Sequence, residues 1–495
     1  MPTPNIAFTI LSSSLGNTNP SPAGIVAIFG TSSAGTAATV GDPYRRADNI
    51  VTDYGYGPGP ELAAQCVESG IPTIFVKVAT NAADAAGAVT FTGTGTSVLT
   101  LTSSTPFDDN DVIVTVVRAG TAGSDPEPGF TISFDGGVTT SREIRMPANR
   151  IYTGYQATLG ITLNFTAAAM VVDDTYEFTT TAPTWAAGDV ATAVAALQAS
   201  AEEVGVSYVT GPCSKTQADT ILAAAVDFLD RNKFPDFIVE ARDINVSGGE
   251  TEAQWMAAIS ADYASMATDY LTVAAGASLN ASAISNINRR RNIGWLGIVR
   301  LGRRNIGRDI GAVEDGALCP SYSGVNLSGP LSGVPVSVVY HDEGGNPGLD
   351  ENRFMTVTSF IGQPGYYITN PNIMCGPTSD FTLQQYRRVM NEACVVTRNF
   401  FTRLLSTDVR LERRGARAGK ILERDALAIE SGNDTKLNAA LVATNQASAV
   451  ETIVSRDDDI NTTKTLTVNV GVLPLGYIKV VSATMSFVRA VAAAA

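Results

Sequence analysis

The chain has 495 residues, 44% of them hydrophobic, and carries a formal net charge of −14. Its length suffices for about three or four domains, and its acidic balance argues against broad nucleic-acid binding. No run reaches the roughly 18 apolar residues that a membrane helix needs, and the first residues lack the pattern of a signal peptide, which favours the cytoplasm as the starting compartment.

The N-terminal residues 1–22 are predicted to form an extended arm. Ile6, Phe8 and Ile10 alternate with more polar residues, the period of a half-buried strand. Residues 12–22 are rich in Ser, Gly, Asn and Pro and have the composition of a turn or linker. The arm therefore combines a strand with a tether, although residues 5–11 could also pair within their own chain.

Residues 23–84 and 183–375 are predicted to form one α/β domain. Apolar strands at 23–30 and 72–78 flank a short helix for which Pro60 is a suitable start. From residue 187 onward, helical and strand patterns alternate, with a capping box at Ser214 and Gln217. This alternation indicates a layered sheet that is completed across an insertion.

The insertion covers residues 85–182 and is predicted to be all-β. Charged residues are sparse there, Thr and Gly dominate, and short alternating runs such as DVIVTVV and TYEFTTT are separated by turn signals. This pattern is typical of a compact β domain.

Residues 376–463 are predicted to form a C-terminal helical α+β domain. One apolar stripe from Leu383 to Leu404 marks a long helix, and four arginines fall largely off that stripe: Arg387, Arg388, Arg398 and Arg403. Residues 464–495 follow with strand-like runs at 464–472 and 476–488. The predicted fold class is thus a multidomain α/β and α+β protein, with a layered α/β domain, an all-β insertion and extended arms at both ends.

The basic residues are concentrated in two segments. Residues 285–310 hold seven Arg against one Asp, and residues 381–425 hold nine Arg and one Lys against five acidic residues. This separation of charge predicts electrostatic docking surfaces for charged partners. The alternative is that these arginines pair with acidic residues of their own chain across domain faces.

Motifs for catalysis or cofactor binding are missing from the sequence. The glycine-rich stretch 54–59 is a poor phosphate loop, and neither a P-loop nor a G-x-S-x-G motif occurs. One histidine excludes a histidine-rich metal site, and five scattered cysteines are typical of buried free thiols. The acidic segment 341–352 departs from the EF-hand spacing and favours an exposed hairpin or a subunit contact. We therefore expect no enzyme activity, cofactor or metal.

Three segments resemble the tail sheath proteins of contractile bacteriophages. They are the opening AGIVAIFGTSSAGTAA with the later GIPTIFVKV, the run DDTYEFTTTAPTW at 173–185, and RFMTVTSFIGQPGYYITNPNIM at 353–374. The long arginine-bearing helix and the closing strands follow in the same order. The likeness rests on the order and the residue patterns of these segments, and it extends over nearly the whole chain.

The resemblance implies a structural subunit that forms stacked hexameric rings around an inner tube and contracts to drive the tube through the host envelope. Its implied partners are neighbouring sheath subunits, the tail tube protein, and baseplate and tail terminator proteins, with no direct nucleic-acid contact and no stable membrane insertion. The implied location is the virion tail, after assembly in the host cytoplasm. Related alternatives are the sheath of a phage-tail-like bacteriocin or a secretion system, and more distant ones are a capsid or surface-layer subunit, an enzyme or a carbohydrate-binding module.

The resemblance also implies roles for particular residues. Strand donation between subunits is expected at both ends of the chain, through Ile6, Phe8, Ile10, Leu466, Val468 and Val470. The candidates for contact with an acidic tube surface are Arg387, Arg388, Arg398 and Arg403.

Overall fold

The computed structural model describes residues 24–81, 85–102, 105–137, 139–245, 248–285, 287–318, 340–405 and 407–476. The chain divides into two units, Met1–Arg410 and Leu411–Ala495. Among the helices of the described ranges, none is long and apolar enough to cross a membrane.

The first unit opens with strand, two helices and strand: β1 (Val26–Gly30), α1 (Ala47–Tyr54), α2 (Pro58–Glu68) and β2 (Thr73–Lys77). β1 and β2 pair in parallel and consist mainly of β-branched and aromatic residues that are buried on both faces. Both strands match the sequence prediction. The helix begins two residues before the predicted Pro60, because Pro58 already has the fixed φ that suits a first helical position.

An antiparallel insertion follows β2. Its elements are β3 (Ala85–Ala86), β4 (Thr90–Thr92), β5 (Leu99–Thr102), β6 (Asn110–Arg118), β7 (Gly120–Thr121), β8 (Gly129–Ser133), β9 (Ile144–Arg145), β10 (Ile151–Tyr152), α3 (Gln156–Leu159), β11 (Thr162–Phe165), β12 (Ala169–Met170) and β13 (Thr175–Thr181). The larger sheet has the order β3–β13–β6–β8–β9, with β4 also on β13; the smaller ones are β10–β11–β5 and β12–β7. Val114, Phe130, Phe165 and Tyr176 lie in their common core.

The chain then returns to the central sheet through α4 (Ala187–Ala199), β14 (Val206–Pro212), α5 (Lys215–Asp230), β15 (Asp236–Glu240), α6 (Glu252–Tyr263) and β16 (Leu271–Ala274). The five parallel strands have the order β16–β15–β14–β1–β2. Helix α5 begins with the predicted capping box, in which the Ser214 hydroxyl accepts from the Gln217 N–H. The strand order reverses between β1 and β14, where open α/β sheets generally form a ligand crevice at their carboxyl ends.

The first unit ends with β17 (Ala277–Ala281), β18 (Asn288–Asn292), α7 (Gly294–Arg303), a 3-10 turn (Val313–Asp315), β19 (Val357–Ser359), β20 (Tyr366–Ile368) and α8 (Gln384–Thr402). Helix α8 is the long helix predicted from the apolar stripe. It packs on the central sheet, where Asn391 Nδ2 donates to Asp236 Oδ1 over 2.9 Å. For this reason the second unit begins at Leu411, later than the predicted domain start at 376.

Both outer strands of the central sheet are covered by other segments of the chain. On the β2 side, Tyr44 and Thr73 exchange backbone hydrogen bonds of 2.7 and 3.2 Å. On the β16 side, the Met355 N–H donates to the Val273 carbonyl over 2.9 Å, and the Ala275 N–H donates to the Met355 carbonyl over 3.0 Å. Such covering prevents a free sheet edge from pairing with another chain.

The second unit contains α9 (Glu423–Leu437), a π-helical turn (Asn438–Val442), β21 (Ala447–Val454), α10 (Ile460–Thr463) and β22 (Val468–Pro474), with a 3-10 turn at Gly415–Arg417. The predicted strand at 464–472 thus begins at Val468. Its partner in the described chain is β21, which the sequence analysis did not identify as a strand. The predicted run at 476–488 lies outside the described residues except for Gly476.

Candidate functional site

β21 and β22 form a two-stranded antiparallel sheet, called here the C-terminal sheet. Val454 lies opposite Val468, and Thr452 lies opposite Val470. No further strand of the described chain pairs with either one. Each strand therefore has an outer edge, and a two-stranded sheet is only marginally stable by itself.

The hydrogen-bond pattern fixes which backbone groups point to these outer edges. The Ser455 N–H donates to the Thr467 carbonyl over 2.8 Å, so this opposed pair is hydrogen-bonded. Bonded and non-bonded pairs alternate along an antiparallel ladder. The backbone N–H and C=O groups of Val468, Val470 and Val472 consequently point outward from β22.

The two outer edges are not equivalent, because side chains occupy part of the β21 edge. The Val454 N–H donates to Glu430 Oε1 over 2.7 Å, and Arg456 Nη1 donates to the Val454 carbonyl over 2.6 Å. Arg456 also bonds to Glu423 and to Glu430, and its hydrogen bond to Glu430 holds the pKa of the Glu430 carboxyl below its ordinary value. The edge of β22 is the more accessible of the two for another strand.

The apolar face of the C-terminal sheet is also incomplete beside β22. Helix α9 packs on β21, where Thr452 and Val454 are buried. The side chains of Val468, Val470 and Val472 lie on the same face and are only half-buried. A neighbouring strand with apolar residues on this face would extend the sheet and cover these valines.

The predicted strand-donation residues have different positions. Ile6, Phe8 and Ile10 lie outside the described residues. Val468 and Val470 belong to β22 and pair with β21 of their own chain, and the half-buried Leu466 lies two residues before the strand. Their participation in a contact between subunits stays a prediction.

The prediction that Arg387 and Arg388 face a tube surface is wrong for this structure, since both side chains are buried, with exposures of 8% and 4%. The Arg387 guanidinium lies over the ring of Tyr270 at 4.3 Å, and Arg388 Nη1 donates to the Leu301 carbonyl. Burial raises the pKa of the adjacent Asp236 carboxyl to about 7, although Arg387 opposes the shift. The apolar stripe of the helix did not predict this burial, because the long aliphatic part of an arginine side chain can pack beside apolar residues.

The other two arginines of α8 differ from each other. Arg398 bonds within the chain, with Nη2 2.9 Å from Glu203 Oε2 and Nη1 2.5 Å from the Asn232 carbonyl. Arg403 is exposed at the C-terminal end of the helix. Among the four candidates, Arg403 is therefore the one whose position suits contact with another protein.

A buried ion cluster occupies the carboxyl edge of the central sheet. Arg289 Nη1 lies 2.6 Å from Glu61 Oε2, and Arg291 Nη1 donates to Asp108 Oδ1 over 2.8 Å. Alternation along β18 places Arg289 and Arg291 on one face and Arg290 on the other. Burial disfavours the charged form of Asp108, but Arg291 and Arg289 outweigh it and hold the pKa of this carboxyl below its ordinary value.

This ion cluster joins three parts of the chain. Glu61 belongs to α2 beside β1, the two arginines belong to β18, and Asp108 lies two residues before β6 of the insertion. Arg289 and Arg291 of the basic segment thus pair inside the chain, as the alternative to an exposed docking surface predicts. Sequence analysis recognised the basic segment but missed its partners, because Glu61 is 228 residues from Arg289.

A cavity of about 510 Å³ adjoins the cluster at the carboxyl ends of β1, β14 and β15. In its wall, Trp295 Nε1 donates to Glu240 Oε1, and Trp185 Nε1 donates to the Thr210 carbonyl, each over 2.8 Å. Burial raises the pKa of Glu240 to about 7. Within the described ranges, no group of three or more His, Cys, Asp or Glu side chains could hold a metal ion.

The loop after β1 is tied to the glycine-rich stretch 54–59. The backbone N–H of Ser33 donates to the Tyr56 carbonyl over 2.8 Å, and that of Ala34 donates to the Tyr54 carbonyl over 2.9 Å. These N–H groups are therefore engaged in turn structure rather than directed at a phosphate group.

The solved structures similar to the chain include a sheath tail protein and a prophage baseplate. One is a crystal structure of the sheath tail protein from Desulfitobacterium hafniense, at 11% identity and a TM-score of 0.44, covering 95% of this chain and 100% of that one. The other is a cryo-EM structure of the anti-feeding prophage baseplate, at 12% identity and a TM-score of 0.39, covering 62% and 75%. Both TM-scores lie below 0.5, so neither likeness decides the fold or the function.

The comparison with curated proteins found no match. The model of the family DUF2586, N-terminal domain, matches residues 3–372. This segment spans the central sheet, the insertion, and the strands β17 to β20. Because the match covers well over half of the chain, the protein belongs to the DUF2586 family.

Proposed function

We propose that the protein is a structural subunit of a contractile tail sheath that polymerises by exchanging strands between copies. The observation that carries the proposal is the outer edge of β22, where Val468, Val470 and Val472 direct backbone groups outward. The resemblance of the segments at 23–78, 173–185 and 353–374 to sheath proteins supports the same role.

The contrast between the two units strengthens this interpretation. The central sheet covers its edges with the segments around Tyr44 and Met355. The C-terminal sheet has a partly covered β21 edge and an uncovered β22 edge in the described chain. A protein that protects one sheet and leaves another incomplete is well suited to strand addition.

The donor in this proposal is residues 5–11 of a neighbouring copy. Its backbone would bond to the outward groups of β22, and Ile6, Phe8 and Ile10 would cover the half-buried valines. The linker at 12–22 would let neighbouring subunits slide and rotate while remaining connected. Stacked hexameric rings, an inner tube, and contacts to baseplate and terminator proteins belong to this proposal.

The buried ion cluster ties the insertion to the central sheet, which suits a structural role. In an open α/β sheet, the crevice at the reversal of strand order is the usual ligand site. Here Glu61, Arg289, Arg291 and Asp108 occupy the adjoining edge and neutralise one another. The energy for contraction would come from repacking of subunits, without a nucleotide.

Val470→Pro tests the proposed interface, because proline removes one backbone N–H that points outward from β22. Proline is tolerated on an edge strand at such a position, so the hairpin with β21 should persist. We expect folded subunits with the wild-type melting temperature that fail to form striated hollow tubes in negative-stain micrographs. Val470→Thr keeps the N–H and serves as the matched control.

Two outcomes would contradict the proposal. Normal tubes from the Val470→Pro variant would exclude strand addition at β22. Closed shells or flat lattices from the wild-type protein would indicate a capsid or surface-layer subunit instead.

A further inference from the structure

A second cavity, of about 220 Å³, lies against the C-terminal half of α7 and is called here the arginine cavity. Arg300, Arg303 and Arg304 line it, and Asp315 at the end of the 3-10 turn is the one carboxylate among the described residues of its wall. Side chains three and four positions apart share one face of a helix, which is why the three arginines converge. The wall therefore carries two positive charges in excess.

Arg300 is a buried cation with little to bond to. Its exposed fraction is 8%, and its Nε is buried without a hydrogen-bond partner. Its Nη2 donates to the Ala312 carbonyl over 3.4 Å, which is long for a hydrogen bond. A guanidinium has five N–H donors. Within the described ranges, this side chain therefore leaves most of its hydrogen-bonding capacity unused.

The two carboxylates nearest to Arg300 are engaged with other groups. Arg308 Nε lies 3.1 Å from Asp315 Oδ2, and Arg304 Nη2 lies 3.8 Å from Asp315 Oδ1. Asp309 Oδ1 accepts from the backbone N–H two residues later over 2.9 Å. Burial lowers the pKa of the Arg300 guanidinium, although Asp315 and Asp309 oppose the shift. Neither carboxylate thus offsets the cost of burying this charge.

The adjoining sequence does not contain the missing negative charge. Residues 319–339, which follow Leu318 of the cavity wall, include no Asp or Glu. The C-terminal end of α7 contributes a partial negative charge equivalent to about half an elementary charge, which is less than the excess in the wall. A buried charge is costly unless it is paired. A bound anion would supply the pairing that this part of the chain lacks.

We propose that the arginine cavity binds a divalent oxyanion of the phosphate type, with Arg300 as its buried ligand and Arg303 and Arg304 beside it. The planar fork of a guanidinium matches two oxygens of a phosphate group. Two excess positive charges suit a divalent anion better than a single carboxylate. This binding site is independent of the strand exchange proposed above.

Equilibrium dialysis with radiolabelled inorganic phosphate tests the proposal, because it measures binding whether or not the protein polymerises. The measurement is made at constant ionic strength, set with chloride, and at about pH 8, where phosphate is mainly divalent. We expect saturable binding of one phosphate per chain. Sulfate should displace the label, and acetate should do so far less effectively. Absence of saturable binding, or equal displacement by acetate and sulfate, would overturn the proposal.

Arg300→Met tests the role of the buried guanidinium. It should weaken phosphate binding by at least about tenfold, since it removes hydrogen bonds to a charged group. Without phosphate its melting temperature should equal or exceed that of the wild type, because a buried charge without an ion pair is removed. A lower melting temperature, or phosphate binding as in the wild type, would contradict the assignment of Arg300.

Arg304→Gln provides a second variant at a more exposed position, since the Arg304 side chain is 43% exposed. It should also weaken phosphate binding and leave the melting temperature unchanged. Arg424→Met is the matched control, because it removes a positive charge from a 71% exposed side chain on α9. Equal phosphate affinity in the Arg304→Gln and Arg424→Met variants would show that net charge, and not the arginine cavity, determines binding.

Discussion

Arg291 and Asp108 connect β18 to the insertion through a buried hydrogen bond of 2.8 Å between Nη1 and Oδ1. Both side chains are almost fully buried, and Arg291 also bonds to Glu61. The insertion is therefore attached to the central sheet by paired charges as well as by its two chain connections. A buried charge that loses its partner is strongly destabilising.

Asp108→Ala should lower the free energy of unfolding by about 3–5 kcal/mol, because Arg289 and Arg291 would remain buried with one carboxylate. Chemical denaturation measures this loss. Glu143→Ala is the matched control on the same insertion, since its ion pair with Arg118 is 39% exposed on each side and should contribute about 0–1 kcal/mol. Equal losses of unfolding free energy in the two variants would show that burial does not determine how strongly the cluster stabilises the fold.

Glu240→Gln should change how stability depends on pH. The pKa of Glu240 is raised to about 7 by burial, so its neutral form is favoured in the folded state. Its stabilising contribution is full below the unfolded pKa of about 4.3 and is lost as the pH rises through about 7. Between those two pH values, the free energy of unfolding of the variant should rise relative to that of the wild type by about 1.4 kcal/mol per pH unit.

Denaturation series between pH 4 and pH 8 check this difference. Glu177→Gln, on the exposed face of β13, controls for the general effect of removing a carboxyl group. If the free energy of unfolding depended on pH in the same way in the wild type and in Glu240→Gln, the role of the buried carboxyl would be contradicted.

Phe8→Asp should prevent polymerisation and leave the subunit folded, because a charge on the apolar face of the proposed donor strand could not be buried beside β22. Thr9→Asp places the same charge on the opposite face of the strand and should be tolerated. Sedimentation and negative-stain microscopy distinguish the two variants. Polymerisation of both would argue against donation by residues 5–11.

Arg403→Glu should leave the melting temperature unchanged and reduce assembly on inner tubes, since Arg403 is exposed at the end of α8. Arg387→Glu should instead destabilise the first unit, because it places a second carboxylate next to the buried Asp236. Thermal melts and the yield of tube-bound subunits separate these effects. Normal assembly of the Arg403→Glu variant would remove this residue from the tube contact.

The sequence by itself determined the features that depend on local pattern. The apolar runs of β1 and β2 identified buried parallel strands, Ser214 and Gln217 identified the start of α5, and alternating Thr-rich runs indicated the β-rich insertion. Each signal lies within a few residues and follows from backbone periodicity or capping.

Only the tertiary structure decided which distant groups meet. The pairing of β21 with β22, the burial of Arg387 and Arg388, and the contacts of His341 with Glu252 and Glu343 join residues that no local pattern relates. Electrostatic pairing and burial depend on distance in space, and folding brings Arg289 to Glu61 across 228 residues of chain. An arginine in the same local sequence pattern can therefore lie either at the surface or in the core.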